Sequence, residues 1–192
     1  MSIYDEIYRK AEPYWATRNN DAHVPSSYEF ARRLLNAYPS ADEAVVLPAV
    51  LLHDVGWKMV SEDKQRGAYG PVVKDEETRR VHEKEGARIA RQILNSLAYS
   101  LGKTDEILSI IDGHDSRETP LSLNDSLVKD SDKLWRFTPS CVEMGYRHFG
   151  FGLEEYIDWL GQRIEEWFFT TAAKAMAREA LNRARKELLN PS

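Results

Sequence analysis

The stretch that decides the fold is Ser40–Gly56, which reads Ser-Ala-Asp-Glu-Ala-Val-Val-Leu-Pro-Ala-Val-Leu-Leu-His-Asp-Val-Gly. Its first and fourth residues have the spacing of a capping box, in which two side chains satisfy free backbone amides at a helix start. The apolar run that follows predicts a buried helix, and the final glycine predicts its end. Pro48 predicts a kink or a later start. His53 and Asp54 therefore stand together at the end of an apolar helix.

Apolar residues at helical spacing dominate the rest of the chain as well, with Pro25 predicted in a first helical turn and Asn124 as a helix cap. Residues 57–74 contain glycines and a proline among many charges, and predict a long loop of the kind that is often functional. No stretch alternates as a strand does, so the predicted fold class is all-α. We predict helices over about 2–12, 41–52, 75–97, 104–114, 124–135, 139–150, 153–169 and 171–189, with a further one over 23–38.

The composition restricts the class of protein. With 192 residues, the chain has the length of one domain, or of one domain with helical extensions. It has 26 basic and 31 acidic residues, which argues against an intrinsically basic protein that binds nucleic acid or anionic membranes, although a small local basic patch is not excluded. The longest apolar run, Ala44–Leu52, is too short to span a bilayer, and the first residues do not resemble a signal peptide. We therefore expect a cytoplasmic protein.

The single cysteine, Cys141, excludes an internal disulfide and a Cys-rich zinc site, so any metal must be held by histidine and carboxylate. Together these ligands suit iron, manganese, zinc or a similar ion, and a helical bundle can direct them to one point. Six candidate ligands, counting both histidines and aspartates, would be more than one zinc ion needs and suggest two metals that share a carboxylate. Hydrogen-bonded core histidines are the alternative. The chain has five histidines: His23, His53, His82, His114 and His148.

The order of these residues resembles the HD superfamily of metal-dependent phosphohydrolases. The stretch Leu51–Gly56 is similar to the central signature of the superfamily, and Asp130-Ser-Asp-Lys-Leu134 is similar to its terminal motif, in which the second acid, Asp132, is the ligand. His82 and His114 match the H…HD…H…H…D subgroup, whose members hold two metals. The resemblance implies an all-α HD-domain helical bundle with additional C-terminal helices. It also implies a single domain over 1–192, with a motif-bearing core over 23–132 and a C-terminal extension over 138–190.

The resemblance also implies a division of the ligands between two metals. His23, His53, Asp54 and Asp132 would hold the first metal. Asp54 would bridge to a second one, held also by His82 and His114, and would be the catalytic residue, whereas His148 is interpreted as structural. Iron or manganese is expected, with magnesium, zinc, nickel or cobalt left open.

The implied reaction is hydrolysis of a small phosphate ester or a nucleotide by a metal-activated hydroxide. Lys58 and Arg117 follow the metal motifs and are the cations that we expect to bind substrate, although each could be an ordinary solvated charge. Trp57, Tyr69 and Trp135 flank the same segments and could stack on a nucleobase or belong to the core.

Two other function classes remain open. One is a mixed-valent di-iron HD-type oxygenase, but the Tyr and Glu that precede the first histidine in the phosphonate-cleaving enzymes are replaced here by Pro13 and Ala16. The other is a non-enzymatic metal- or nucleotide-binding regulatory module, against which the six intact ligand positions argue. We expect a small phosphorylated substrate as partner and neither a membrane nor nucleic acid. A homo-oligomer is left open.

Overall fold

The computed structural model describes residues 2–65 and 75–189, which contain ten α-helices and no strand. The all-α fold class predicted from helical spacing is therefore confirmed. The helices are α1 (Ile3–Ala11), α2 (Asn20–Ala37), α3 (Glu43–Leu52), α4 (Glu62–Gln65), α5 (Glu76–Ser96), α6 (Leu101–Ile111), α7 (Leu123–Leu134), α8 (Pro139–Phe149), α9 (Leu153–Trp167) and α10 (Thr171–Leu189).

Helix α3 lies at the centre of the core. Every residue over 45–52 is buried, and the helix packs against α1, α2, α5, α6 and α7. Such a helix needs no polar face, which explains why its sequence is apolar all round. Its C-terminal end carries His53 and Asp54 into the interior of the protein.

The start of α3 differs from the predicted capping box. The N-cap is Asp42, whose carboxylate accepts a hydrogen bond from the amide of Ala44 at 2.9 Å, so Ser40 lies before the helix. Pro48 lies inside the helix and cannot donate to the carbonyl of Ala44, four residues earlier. The hydroxyl of Tyr99 donates to that carbonyl at 2.6 Å instead. A tertiary contact thus replaces the hydrogen bond that the proline removes.

Three other predicted features were wrong. Helix α2 begins at Asn20, so Pro25 lies within it and not in the first turn. Helix α6 includes Gly102 and ends before His114. Helix α7 is capped by Ser122, because Asn124 accepts a hydrogen bond from the amide of Asp42 at 2.8 Å instead.

The described part of the predicted loop over 57–74 contains regular structure. A 3-10 turn over Val55–Met59 and the short helix α4 occupy its first part. Residues 66–74, with Tyr69, lie outside the described part of the chain.

The last three helices pack against one another, and α10 also contacts α7. The buried carboxylate of Asp130 joins α7 to the segment between α9 and α10. It accepts hydrogen bonds from the amides of Phe169 (2.9 Å) and Thr170 (3.0 Å) and from the Thr170 hydroxyl (2.6 Å). No helix within the described ranges is long and apolar enough to cross a membrane.

Candidate metal centre

Five segments of the chain direct imidazole and carboxylate groups to one buried place. Helices α2 and α7, which pack side by side, contribute His23 and Asp132. The end of α3 contributes His53 and Asp54. Helix α5 contributes His82 and the segment after α6 contributes His114. All six residues are buried.

The first group of ligands contains His23, His53 and Asp132. The Nε2 atoms of the two histidines are 3.1 Å apart. The Oδ1 atom of Asp132 lies 3.1 Å from the Nε2 of His23 and 3.6 Å from that of His53. We call this group the first cluster. Asp130, the other acid of the same motif, accepts hydrogen bonds from the segment between α9 and α10 and is not part of this group.

The second group contains His82, His114 and Asp115, and we call it the second cluster. The Nε2 atoms of the two histidines are 3.3 Å apart. The Oδ2 atom of Asp115 lies 3.5 Å from the Nε2 of His82 and 3.7 Å from that of His114. Sequence reasoning did not select Asp115. The signal that could have found it is the second His-Asp dipeptide of the chain, at residues 114–115.

The carboxylate of Asp54 lies between the two clusters and faces each with a different oxygen. Its Oδ2 atom is 3.6 Å from the Nε2 of His23 and 3.7 Å from that of His53. Its Oδ1 atom is 3.5 Å from the Nε2 of His114 and 3.9 Å from that of His82. This arrangement is compatible with a carboxylate shared between two metal ions.

The ligand separations suit divalent ions. Two ligands that each lie about 2.1 Å from one metal are about 3.0–3.5 Å apart at octahedral or tetrahedral angles. The separations within both clusters are close to this range. The donor set of imidazole nitrogens and carboxylate oxygens suits iron, manganese or zinc, as the sequence suggested. The residues present therefore fit a metal centre.

Two of the histidines, His53 and His114, are oriented by hydrogen bonds on their other nitrogen. The Nδ1 atom of His53 is 2.7 Å from the carbonyl of Val50, and the Nδ1 of His114 is 2.8 Å from the carbonyl of Ile111. A carbonyl only accepts, so each Nδ1 carries the proton, and in the neutral ring the Nε2 presents a lone pair to its cluster. Backbone carbonyls of this kind fix the orientation of metal-ligating histidines.

The electrostatics of the centre reflect three carboxylates in a small buried volume. Burial raises the pKa values of Asp54 and Asp132, but the nearby histidines hold both well below the usual range. Burial and the charge of His114 lower the pKa of His82 to about 4. For His114, burial acts in the same direction, but the charges of Asp115 and Asp54 raise its pKa to about 10. Divalent cations would take the place of the protons that these acids attract.

Trp57 supports the second cluster and does not line the cavity described below. Its fully buried ring stacks on the ring of His82, with centroids 3.8 Å apart and planes 12° apart. Its indole N–H donates to Oδ1 of Asp54 at 3.0 Å. Of the aromatic residues that the sequence proposed for base stacking, Trp57 contacts His82 and Asp54, and Trp135 contacts His23.

The second cluster depends on a close backbone approach. The turn that follows Asp54 packs against α5 at Gly56, where a Cβ atom would lie 1.9 Å from the carbonyl oxygen of His82 and 2.4 Å from the amide nitrogen of Gly86. Only glycine fits there. The turn that begins at Asp54 can therefore lie directly against α5, so that Asp54 and His82 face each other.

The two clusters lie at one end of a cavity of about 560 Å³ that extends to α8 and α9. The cations that the sequence proposed for substrate binding are not among the described residues that line it. Lys58 is exposed on the 3-10 turn. Arg117 pairs with the buried Asp125 at 2.9 Å and donates to the carbonyl of Ser109 at 2.5 Å. Its hydrogen bonds are thus made within the protein.

Two other arginines stand in the cavity near the clusters, and no sequence signal singled them out. The Cζ atom of Arg18 lies 3.9 Å from the ring centre of Trp57. Arg136 is partly buried, and within residues 2–65 and 75–189 its guanidinium makes no hydrogen bond and no ion pair. Burial lowers its pKa, but the charges of Asp132 and Asp115 outweigh burial and raise it. Arg136 is therefore a cation whose hydrogen-bond donors are available to a ligand.

Residues 21–136 match the family model described as HD domain. This range covers more than half of the chain and contains every residue of both clusters. No curated protein and no solved structure gives a significant match. The family expected from the motifs is thus confirmed, and the two clusters are compatible with metal binding. The chain belongs to the HD-domain family.

Proposed function

We propose that this protein is a metal-dependent phosphohydrolase with a dinuclear centre. The observation that carries the proposal is the position of Asp54, whose two carboxylate oxygens face two separate clusters. A lone zinc site or a set of core histidines would not need a carboxylate shared in this way. We assign His23, His53, Asp54 and Asp132 to one metal. Asp54, His82, His114 and Asp115 would hold the other.

Bound divalent ions would supply Lewis acidity, which lowers the pKa of water and neutralises phosphoryl oxygens. The residues of this chain hold the ligands in position and bind the substrate. The guanidiniums of Arg136 and Arg18 stand beside the clusters and would bind phosphoryl oxygens, as arginine commonly does. Positioning and electrostatics then provide most of the rate enhancement.

No side chain is required as a nucleophile. Cys141 lines the cavity, but burial raises the pKa of its thiol to about 11, so it is protonated at neutral pH. Water is therefore the nucleophile that this site would use. The side chains of this protein would orient the phosphoryl group for attack by water.

The proposal is tested by metal content and phosphate release in the same preparation. Protein purified without added metal or chelator is expected to contain about two metal ions per chain by elemental analysis. It should release phosphate from small esters under nitrogen as well as in air. Fewer than two metals would contradict the dinuclear centre. Phosphate release that needs O₂ would instead support the oxygenase alternative.

The matched variants are Asp54→Ala and Asp105→Ala. Loss of Asp54 removes a ligand from both clusters, so we expect metal content below one ion per chain and loss of phosphate release by a factor of at least about 10³. Asp105 is an exposed acid on α6, so its loss should change neither quantity. Wild-type turnover by Asp54→Ala would refute the proposed function.

A further inference from the structure

The part of the cavity that lies farther from the metal clusters is built outside the region that matches the HD family. Helices α8 and α9 begin after residue 136 and supply this part. Its lining combines aromatic rings with small or apolar residues and with Arg147 and His148. The aromatic members of this part are Phe149, Tyr156, Trp159 and Trp167, whereas Trp135 lies within the matched region and beside the first cluster.

The rings of Phe149, Tyr156, Trp159 and Trp167 contact one another in turn and form an aromatic wall. Trp135 contacts His23 edge to face, with ring centroids 5.8 Å apart. Trp159 stacks against Tyr156, with centroids 5.7 Å apart and planes 10° apart, and meets Trp167 edge to face at 5.5 Å. The three tryptophans are only partly buried. Arg163 also lies over the Trp159 ring, with its Cζ atom 5.2 Å from the ring centre. The exposed parts of the indole rings line a concave site, where a flat ligand group would contact them.

The charges in the cavity indicate which kind of group the wall binds. The only carboxylates among the described lining residues are Asp54, Asp115 and Asp132, all in the metal clusters. The part formed by α8 and α9 presents Arg147 and His148 instead. An aromatic cage for a quaternary ammonium would be electrostatically unfavourable in such surroundings, although tryptophan-rich cages often bind such cations. A neutral ring is the better fit.

The size and continuity of the cavity complete the inference. A volume of about 560 Å³ is typical of sites for small molecules. Arg136 stands between the two parts, since it lines the cavity and its Cζ atom lies 5.8 Å from the ring centre of Trp167. A ligand can therefore place an anionic end at the metal clusters and Arg136 while its other end contacts the indole faces.

We propose that the aromatic wall formed by α8 and α9 is a specificity subsite for the leaving group of a phosphate monoester that carries a neutral, flat aromatic ring. This inference rests on the proposed phosphohydrolase function, of which it names the substrate class. A nucleoside monophosphate has the required chemistry, with phosphate at one end and a stacking base at the other. The probes are adenosine 5′-monophosphate, ribose 5-phosphate, which lacks the base, and phosphocholine, which carries a cation.

The first experiment compares kcat/KM for these three esters with the metal-loaded protein. We expect kcat/KM for adenosine 5′-monophosphate to exceed that for ribose 5-phosphate at least about tenfold, which corresponds to the free energy of one stacking contact. Phosphocholine should be the poorest substrate. Equal values for the first two esters, or a preference for phosphocholine, would overturn the subsite while the phosphohydrolase function would stand.

The matched variants are Trp159→Leu and Phe169→Leu. Trp159→Leu should lower kcat/KM for adenosine 5′-monophosphate about tenfold and leave the value for ribose 5-phosphate within twofold. Phe169 is a partly exposed aromatic residue near the start of α10 that does not line the cavity, so its variant should match the wild type on both esters. An equal loss on both esters in Trp159→Leu would assign that tryptophan a general structural role and contradict the subsite.

A measurement without turnover separates this inference from the proposed function. Adenosine has no phosphate to lose, so its binding can be followed by quenching of tryptophan fluorescence and by calorimetry. We expect saturable binding by the wild-type protein that is at least about tenfold weaker in Trp159→Leu. Adenosine binding without hydrolysis of any ester would support the subsite and refute the hydrolase. Absence of adenosine binding would contradict the subsite, whatever the protein hydrolyses.

Discussion

Individual residues of the metal centre are placed by contacts that their own motif does not contain. The lone pair on the Nε2 of His53 points into the centre because its Nδ1 lies beside the carbonyl of Val50, one turn earlier in the chain. Trp57 similarly supports Asp54 by a hydrogen bond and His82 by stacking. Ligand geometry in this site thus depends on neighbours that do not themselves bind a metal.

Gly56 gives the sharpest prediction at this scale. Gly56→Ala would force a Cβ atom into the backbone of α5, so the turn after Asp54 must move away from His82. We expect a lower free energy of unfolding by at least about 2–3 kcal/mol, the scale of overpacking in a tight core, and loss of one metal per chain. Thermal unfolding and elemental analysis would measure both.

Gly102→Ala is the matched control for this substitution. A Cβ atom at Gly102 would meet no atom within 4 Å, and the residue lies in the first turn of α6. Alanine there should be neutral or stabilising by up to about 1 kcal/mol. If Gly56→Ala behaved like this control, the close approach would not limit the geometry of the second cluster.

At the scale of elements, the segment after α6 is held by two buried charges of opposite sign. The ammonium of Lys129 on α7 donates to the carbonyls of Gly113 (2.7 Å), His114 (2.7 Å) and Arg117 (2.9 Å). These carbonyls follow the end of α6, where cations are favourable. Lys129 is a positioning residue, because it touches the backbone that carries two ligands and not the clusters themselves.

The opposite side of this segment is held by Glu83 on α5, next to the ligand His82. Its carboxylate accepts hydrogen bonds from the amides of Asp115 (2.9 Å) and Ser116 (2.8 Å) and from the Ser116 hydroxyl (2.7 Å). Arg80 also donates to it. Although the neighbourhood of Glu83 in sequence is highly charged, this acid is fully buried. Helix α5 therefore contributes both a ligand and a clamp for the next ligands.

Lys129→Met tests the clamp. The methionine fills similar space but leaves three carbonyls without their donor, so we expect a loss of about 2–4 kcal/mol in the free energy of unfolding. The content of metal should fall toward one ion per chain, because only the second cluster depends on this segment. Chemical denaturation and elemental analysis are the measurements.

Lys103→Met provides the comparison for this variant. Lys103 pairs with Asp42 at 2.6 Å on the surface, where an ion pair contributes about 0–1 kcal/mol. Its loss should leave metal content at the wild-type value. An unchanged metal content in Lys129→Met as well would show that the segment holds its shape without the ammonium.

At the scale of the whole molecule, the centre joins helices from distant parts of the sequence, so bound metal should stabilise the fold. Occupancy at about 100 times Kd contributes about 3 kcal/mol per site, which corresponds to roughly 5–10 °C in a protein of this size. We expect chelation by EDTA to lower the midpoint of thermal unfolding by at least this amount, and added metal to restore it. An unchanged midpoint would contradict metal binding between these helices.

The stabilisation by bound metal should depend on pH, and the pKa of His114 determines the direction of the change. The acids around His114 raise its pKa to about 10, so it carries a proton at pH 7 that a metal must displace. Lower pH opposes this displacement. The difference in midpoint with and without EDTA should therefore be larger at pH 8 than at pH 6, and calorimetry in two buffers should detect proton release on binding.

The sequence alone was sufficient for the helical class, the family, five of the six residues in the clusters and Asp54 between them, because helical periodicity and the spacing of short motifs are local properties of the chain. The first residue of a helix was harder to predict from the sequence. Contacts between helices decide whether Asp42 or Ser40 caps α3, and whether Ser122 or Asn124 caps α7. The partner of the carbonyl freed by Pro48 is likewise a tyrosine that lies far along the chain.

Only the tertiary structure decided which charges face the site. Arg117 follows a ligand closely in sequence but pairs with a buried aspartate, whereas Arg18 and Arg136 have no motif and line the cavity. Asp115 joins the second cluster because Glu83 and Lys129 clamp its backbone from two other helices. The direction of a side chain and the hydrogen bonds that it makes depend on packing between distant segments. Sequence spacing therefore identified the ligand motifs, and the fold determined what surrounds them.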